Sequence, residues 1–184
     1  VNWKLVFGTL TAAGFACLLW KGRAEATTDL IPDWPMIRAR RDGRLYDVRD
    51  FIRPEEVEGI ADRLWKGDER QFVVDSLNWV HSNIAYEPDT GEYWRFPHET
   101  LSRGASDCED IAILLSSIAE NHISSDRFHV VLGTVRDYGH AWNEYYNGDR
   151  RWFLDPTSGD MWEAGAGGMY RMMYRFNSEM AEEV

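Results

Sequence analysis

Residues 104–119 read Gly-Ala-Ser-Asp-Cys-Glu-Asp-Ile-Ala-Ile-Leu-Leu-Ser-Ser-Ile-Ala. This stretch decides the fold, because it joins a small-residue turn to a helical run that has no polar face. Ile111 to Leu115 are apolar almost all round, and a helix of that kind has to be covered on every side. The pattern predicts a central helix from near Cys108 to near Asn121. Asp107 suits the N-cap, and Asp110, three residues on, completes a box-like arrangement. Cys108 then takes the first helical position, where the positive end of the helix dipole favours a thiolate. It shares a stripe with Ala112, Leu115 and Ala119, so the core fixes the backbone beneath it. A lone cysteine on a helix is more often an inert core residue; the capping position and the partners described below favour a nucleophile.

Outward from this helix, Pro54-Glu55-Glu56 opens an upstream helix running to about Trp65 and stopped by Gly67-Asp68. A second helix is expected from about Asp68 to Asn83, with Val73, Leu77, Val80 and Ile84 forming one buried stripe. Pro88-Asp89-Thr90-Gly91 reads as a turn, and an aromatic patch, Tyr93-Trp94-Arg95-Phe96-Pro97, follows. Downstream, Phe128–Val135, Gly139–Tyr146 and Arg150–Asp155 read as strands. The tail, with Tyr170, Met173, Tyr174 and Phe176, is apolar enough to pack back onto the body. Helices first and antiparallel strands after predict an α+β domain. Residues 27–53, with Pro32, Pro35 and Asp42-Gly43, read as an extended lead-in, which leaves 54–184 as the domain.

Asn147-Gly148 is a strong short-range hairpin signal. If these two residues form the loop, Tyr146 faces Asp149, Glu144 faces Arg151 and His140 faces Asp155. Directly opposed residues share a face with Cβ atoms about 4.5–5.5 Å apart, so the turn sets an imidazole beside a carboxylate. A longer loop would make that pair diagonal, still within contact. Cys108, His140 and Asp155 together supply nucleophile, base and orienter. In that reading His140 takes the thiol proton, Asp155 fixes the imidazole tautomer, and the thiolate attacks an acyl carbon to form a thioester. Trp94 is a candidate to line the acyl site or to donate its indole N–H to an oxyanion, and the Cys108 backbone N–H is the other donor. The remaining histidines, His81, His98, His122 and His129, have no shared spacing, so zinc is not supported. No glycine-rich phosphate loop is present.

These segments resemble the transglutaminase-like superfamily. The nucleophile region is Tyr86 to Trp94, then Pro97-x-Glu99-Thr100-Leu101, then Gly104-x-x-Asp107-Cys108-Glu109-Asp110-x-Ala112-x-Leu114-Leu115. Gly139-His140-Ala141-Trp142 and Trp152-x-x-Asp155-Pro156-Thr157 resemble the superfamily's His and Asp segments. The resemblance covers roughly residues 55–160 and implies a papain-like core, with the nucleophile helix packed on an antiparallel sheet. The Asp-Cys-Glu-Asp string is most similar to bacterial transglutaminase-like cysteine proteinases. That similarity implies a protease- or isopeptidase-type hydrolase acting on protein or peptide amide bonds. Transamidation, or a non-catalytic membrane- or particle-associated binding module, stands as the alternative. The triad itself requires no cofactor. The bacterial relatives imply calcium, and Asp107, Glu109 and Asp110 are its candidate ligands; the physical reading is that a hard cation would cancel three negative charges beside a thiol that has to ionise. Ala105-Ser106 stands where the superfamily more often has a second glycine.

Composition bounds the remainder. The chain has 184 residues, 20 Lys plus Arg against 31 Asp plus Glu, and a net charge of −11, a balance that repels phosphate backbones and disfavours nucleic acid as a partner. A hydrophobic fraction of 44% argues against disorder, and two cysteines, Cys17 and Cys108, exclude a disulfide scaffold. Leu5 to Trp20 form an uncharged 16-residue run, about 24 Å long as a helix against a hydrocarbon core of about 30 Å. An N-terminal hydrophobic helix is therefore expected within residues 1–26, as a membrane anchor through residues 3–20, a cleaved secretory signal or a buried core helix. A membrane-anchored or secreted, periplasmic location follows from the first two. Lys21, Arg23, Arg38 and Arg40 lean toward a cytoplasmic body, whereas the resemblance leans toward an extracytoplasmic one.

Overall fold

The computed structural model describes residues 38–184 except 42, 89–92 and 166–168, and without the side chains of residues 38 and 40. The segment expected as anchor or signal lies outside these residues. Among the described residues no helix is long and apolar enough to cross a membrane.

In chain order the elements are β1 (Arg38–Arg41), β2 (Arg44–Asp47), a 3-10 turn Val48–Phe51, α1 (Glu58–Leu64), α2 (Glu69–Asn83), β3 (Ala85–Tyr86), α3 (Pro97–Arg103), β4 (Ala105–Ser106), α4 (Cys108–Ala119), β5 (Phe128–Val135), β6 (Tyr138–Asn147), β7 (Arg150–Asp155), β8 (Asp160–Glu163), β9 (Tyr170–Phe176) and β10 (Ala181–Glu183). Six strands form an antiparallel sheet in the order β10-β9-β5-β6-β7-β8. The helices lie on one face of this sheet, α4 against β5 and β6, and α2 against α4. The expected α+β class and central helix on an antiparallel sheet are the architecture observed.

Two of the helices owe their starts to local chemistry. Asp68 Oδ1 accepts the Gln71 N–H at 2.7 Å and caps α2. Pro97 sits in the first turn of α3, where its missing N–H costs nothing, and Glu99 Oε2 accepts the Phe96 N–H at 2.9 Å. Every residue of α4 is buried, as the all-round apolar pattern requires. One side, with Ile111, Leu114, Leu115 and Ile118, packs on Val73, Leu77, Val80 and Ile84 of the α2 stripe and on Phe128, Tyr145 and Leu154 of the sheet. The other side, with Cys108, Ala112 and Ile113, packs on Val130, Leu132, Ala141 and Phe176, and on Val48, Phe51 and Trp94. The stretch expected as an extended lead-in thus pairs into the β1–β2 hairpin from residue 38 and places Phe51 in the core.

The β6–β7 hairpin corrects the expected register. Asn147 pairs with Arg150, so Gly148-Asp149 is the turn and Asn147 belongs to the strand. Gly148 has φ 60° and Asp149 does not share its positive φ, the sign pattern of a II′ turn with glycine first, where Asn-Gly as a I′ turn needs both central residues positive. Tyr146 therefore faces Arg151, and Glu144 faces Phe153. Arg151 Nη1 still reaches Glu144 Oε1 at 3.3 Å, now diagonally. Because the pairing moves by two residues, every side chain keeps its expected face.

Gly133 in β5 marks the tightest approach in the sheet. A Cβ there would stand 2.1 Å from the Arg171 carbonyl oxygen and 2.7 Å from the Trp142 ring. The first neighbour is backbone and cannot rotate away. Gly133→Ala is expected to destabilise the fold by about 3 kcal/mol, as overpacking does in a close-packed layer; urea unfolding reads this, and a change within experimental error would contradict the packing described.

Candidate active site

The two ends of the expected chemistry are delivered by α4 and β6. Asn143, buried in β6, donates its side-chain N–H to the Ala112 carbonyl at 2.9 Å and to Ser116 Oγ at 3.1 Å, which locks the strand alongside the helix. Two residues back along the strand, Ala141 packs in the same cluster as Cys108. His140 is the next residue back along β6, and strand alternation puts its side chain on the opposite sheet face, with that of Trp142. Cys108 stands at the first position of α4, 5% exposed. Its thiol donates to Glu109 Oε2 at 3.6 Å.

His140 and Asp155 meet. The ring Nε2 lies 2.7 Å from Asp155 Oδ2, which leaves Nδ1 as the ring atom that Asp155 does not use. The pair is diagonal across β6 and β7, on the sheet face where Trp142 stacks against the imidazole with centroids 6.2 Å apart and planes at 22°. Asp155 is itself held on both oxygens. Oδ1 accepts the Thr157 N–H at 3.0 Å and the Thr157 hydroxyl at 2.6 Å, while Oδ2 also accepts the Tyr170 hydroxyl at 3.0 Å. Burial alone would raise this carboxyl; the His140 bond and charge, with Thr157 and Tyr170, outweigh burial and hold it below its ordinary 3.8.

Trp94 is 7% exposed and packs in the Cys108 cluster, with its ring edge-on to Phe51 at 5.5 Å and tilted against Phe176 at 6.1 Å. Its carbonyl accepts from Arg41 Nη1 at 3.2 Å. The structure thus seats it beside the thiol-bearing helix end as a packed aromatic.

Asp107, Glu109 and Asp110 converge. All three are buried, and one carboxylate oxygen from each lies within 4.8 Å of the others. The capping expected of them is corrected in detail. Asp107 takes the N-cap position, but its side chain makes no capping bond. Asp110 turns away from the cap: Oδ1 accepts the Arg95 N–H at 2.7 Å, and Oδ2 accepts Arg95 Nη1 at 2.9 Å and Ser106 Oγ at 2.6 Å. The reason is burial, since a carboxylate with no exposed surface needs a cation more than a helix end needs a cap. Burial raises the Asp110 carboxyl, and the bonds from Arg95 and Ser106 only partly oppose it. Glu109 is pushed well above its ordinary value, first by burial and then by the charges of Asp107 and Asp110. The three acids carry more negative charge than Arg95 balances, which suits a hard oxygen-seeking cation.

Residues not singled out from sequence complete the site: Arg95, Ser106, Tyr86 and Tyr170. Tyr86, paired with Ser106 across the parallel β3–β4 bridge, has its phenol raised by burial and then by the charges of Cys108, Asp107 and Glu109. Gln71 is exposed on α2 and bonds Asp75 at 2.8 Å, a surface helix pair.

The family model described as the transglutaminase-like superfamily matches residues 58–156. Among solved structures, Legionella pneumophila LapG shares 22% identity at a TM-score of 0.54, over 73% of this chain and 89% of that one. Calcium-bound LapG aligns at the same identity and TM-score, over 72% and 88%. A candidate cysteine protease from Cytophaga hutchinsonii aligns at 15% identity and a TM-score of 0.50, over 73% of this chain and 50% of that one. These likenesses show the shared fold. No curated protein matches the sequence.

Proposed function

The chain belongs to the transglutaminase-like superfamily, and on that footing we propose that it is a cysteine-dependent acyl-transfer enzyme, a hydrolase of protein or peptide amide bonds acting through Cys108, His140 and Asp155. The observation that carries this reading is the His140–Asp155 bond of 2.7 Å, made by a buried carboxylate on β7, within a family match that also spans Cys108. Asp155 holds Nε2 protonated, so Nδ1 is the base. It takes the Cys108 proton, and the sulfur attacks the amide carbon. The oxyanion is met by the Cys108 backbone N–H, one of the first-turn donors that a helix leaves unused, with the Trp94 indole as a second candidate. The imidazolium returns its proton to the departing amine, leaving a thioester. Water, deprotonated by the same imidazole, then cleaves the thioester to the acid and regenerates the thiol.

The Asp107, Glu109 and Asp110 carboxylates fit a calcium ion by donor type and spacing, and LapG has been solved with calcium bound. Such an ion would supply positive charge beside the thiol. It would also draw Glu109 Oε2 away from Sγ, freeing the sulfur to ionise. An exported or membrane-tethered location accords with the apolar run at 5–20.

The test is trapping of the acyl-enzyme. A peptide library is incubated with the protein, quenched in acid and analysed by mass spectrometry. The expected result is an acyl adduct on the Cys108 peptide that disappears in Cys108→Ala and His140→Ala. Absence of any adduct across the library, with or without calcium, would contradict the reading.

A further inference from the structure

The carboxylate that holds His140 is itself held from beyond the family-matched region. That match ends at residue 156, whereas Tyr170 stands on β9, the strand inserted beside β5. Its hydroxyl donates at 3.0 Å to Asp155 Oδ2, the same oxygen that accepts His140 Nε2. Its ring meets Trp142 edge-on at 5.2 Å, Trp162 at 4.7 Å and His140 at 6.3 Å. One phenol thus touches the carboxylate, the imidazole and the indole stacked on that imidazole.

A carboxylate pinned on one oxygen can still rotate about its Cβ–Cγ bond. Thr157 fixes Oδ1 with two bonds, and Tyr170 supplies the matching restraint on Oδ2. We propose that Tyr170 is a positioning residue: it fixes the carboxylate plane of Asp155 and shares its charge, and so sets the orientation of His140 toward the thiol. The inference rests on the reading of His140 and Asp155 as base and orienter. It makes the C-terminal strands part of the working site, since β9 carries the hydroxyl.

Tyr170→Phe tests this, because it keeps the ring contacts and removes only the hydroxyl. The Asp155 carboxyl carbon, followed by NMR through an acid titration, is expected to shift its midpoint upward by about half a pH unit on loss of a donor. In turnover, kcat is expected to fall about 3- to 10-fold with KM unchanged, and the same change made on Asp155→Asn is expected to add no further loss. A packing role alone would leave the titration midpoint where it is. An unmoved midpoint would overturn the inference, as would a loss in Tyr170→Phe that simply adds to that of Asp155→Asn. The titration needs no turnover, so a shifted midpoint in a protein that forms no acyl adduct would sink the enzymatic reading and leave the positioning bond standing.

Discussion

Asp155→Ala is expected to lower kcat/KM by about 10³- to 10⁴-fold, the loss seen when the orienting carboxylate of a nucleophile–base pair is taken away. The cause is local. Without Oδ2 the imidazole loses the bond that fixes its ring orientation with Nδ1 as the base, and the carboxylate that stabilises the imidazolium formed when Nδ1 takes the proton. Stability should fall far less, because the sheet around residue 155 does not depend on that side chain for its backbone bonds. The groups left without an acceptor, the Thr157 N–H and hydroxyl and the Tyr170 hydroxyl, cost about 1–3 kcal/mol together if water enters to satisfy them. The pH dependence carries a definite sign. Asp155 has its folded-state pKa depressed below the ordinary 3.8, so its contribution to stability is fully present above that value and is lost as the pH falls through the folded one. The stability difference between wild type and Asp155→Asn should therefore shrink below about pH 4. Undiminished turnover by either variant would remove Asp155 from the mechanism.

The largest stability effect is expected at Arg95. Its guanidinium is the cation bonded to Asp110 at 2.9 Å, with side-chain exposures of 12% and 0%. Arg95→Met keeps the aliphatic stem and deletes the charge. Asp110 is then left beside Glu109 and Asp107 with only Ser106 and a backbone N–H to hold it, and breaking a buried pair in this way costs about 3–5 kcal/mol. The penalty should be read by urea unfolding in the presence of a chelator; a loss under about 1 kcal/mol would mean that the acids are neutral and need no cation. Calcium addresses the same charge excess. It is expected to raise the melting temperature of the wild type, and Glu109→Gln should abolish that rise. A wild-type melting curve indifferent to calcium would contradict the proposed cation.

The legible parts of this molecule are those that depend on neighbours in sequence. The α4 burial follows from its unbroken apolar run, and the α2 stripe from its 3.6-residue period. His140 and Asp155 could be brought together from a turn signal alone, because face is set by parity and parity survived the two-residue change of register. The turn type did not follow from the same dipeptide, since glycine satisfies either the second place of a I′ turn or the first of a II′ turn. Short elements held by distant partners were not visible: the β3–β4 bridge pairs residues twenty apart, and β8 and β10, of four and three residues, are too brief to show alternation. Arg95 and Tyr170 carry no local pattern either. Each is defined by a carboxylate it meets across the fold, at Asp110 and Asp155, and the need for a partner becomes apparent only once those carboxylates are known to be buried.

The central claim is that His140 draws the proton from Cys108, and thiol reactivity measures that step directly. The full chain carrying Cys17→Ser, so that Cys108 alone is read, is alkylated with iodoacetamide across a pH series, alongside the same protein with His140→Ala. The account requires Cys108 to react near pH 6 at least about 10-fold faster than a free thiol, and that excess to vanish with the imidazole. A rate equal to that of a free thiol, or an excess that persists in His140→Ala, would contradict it.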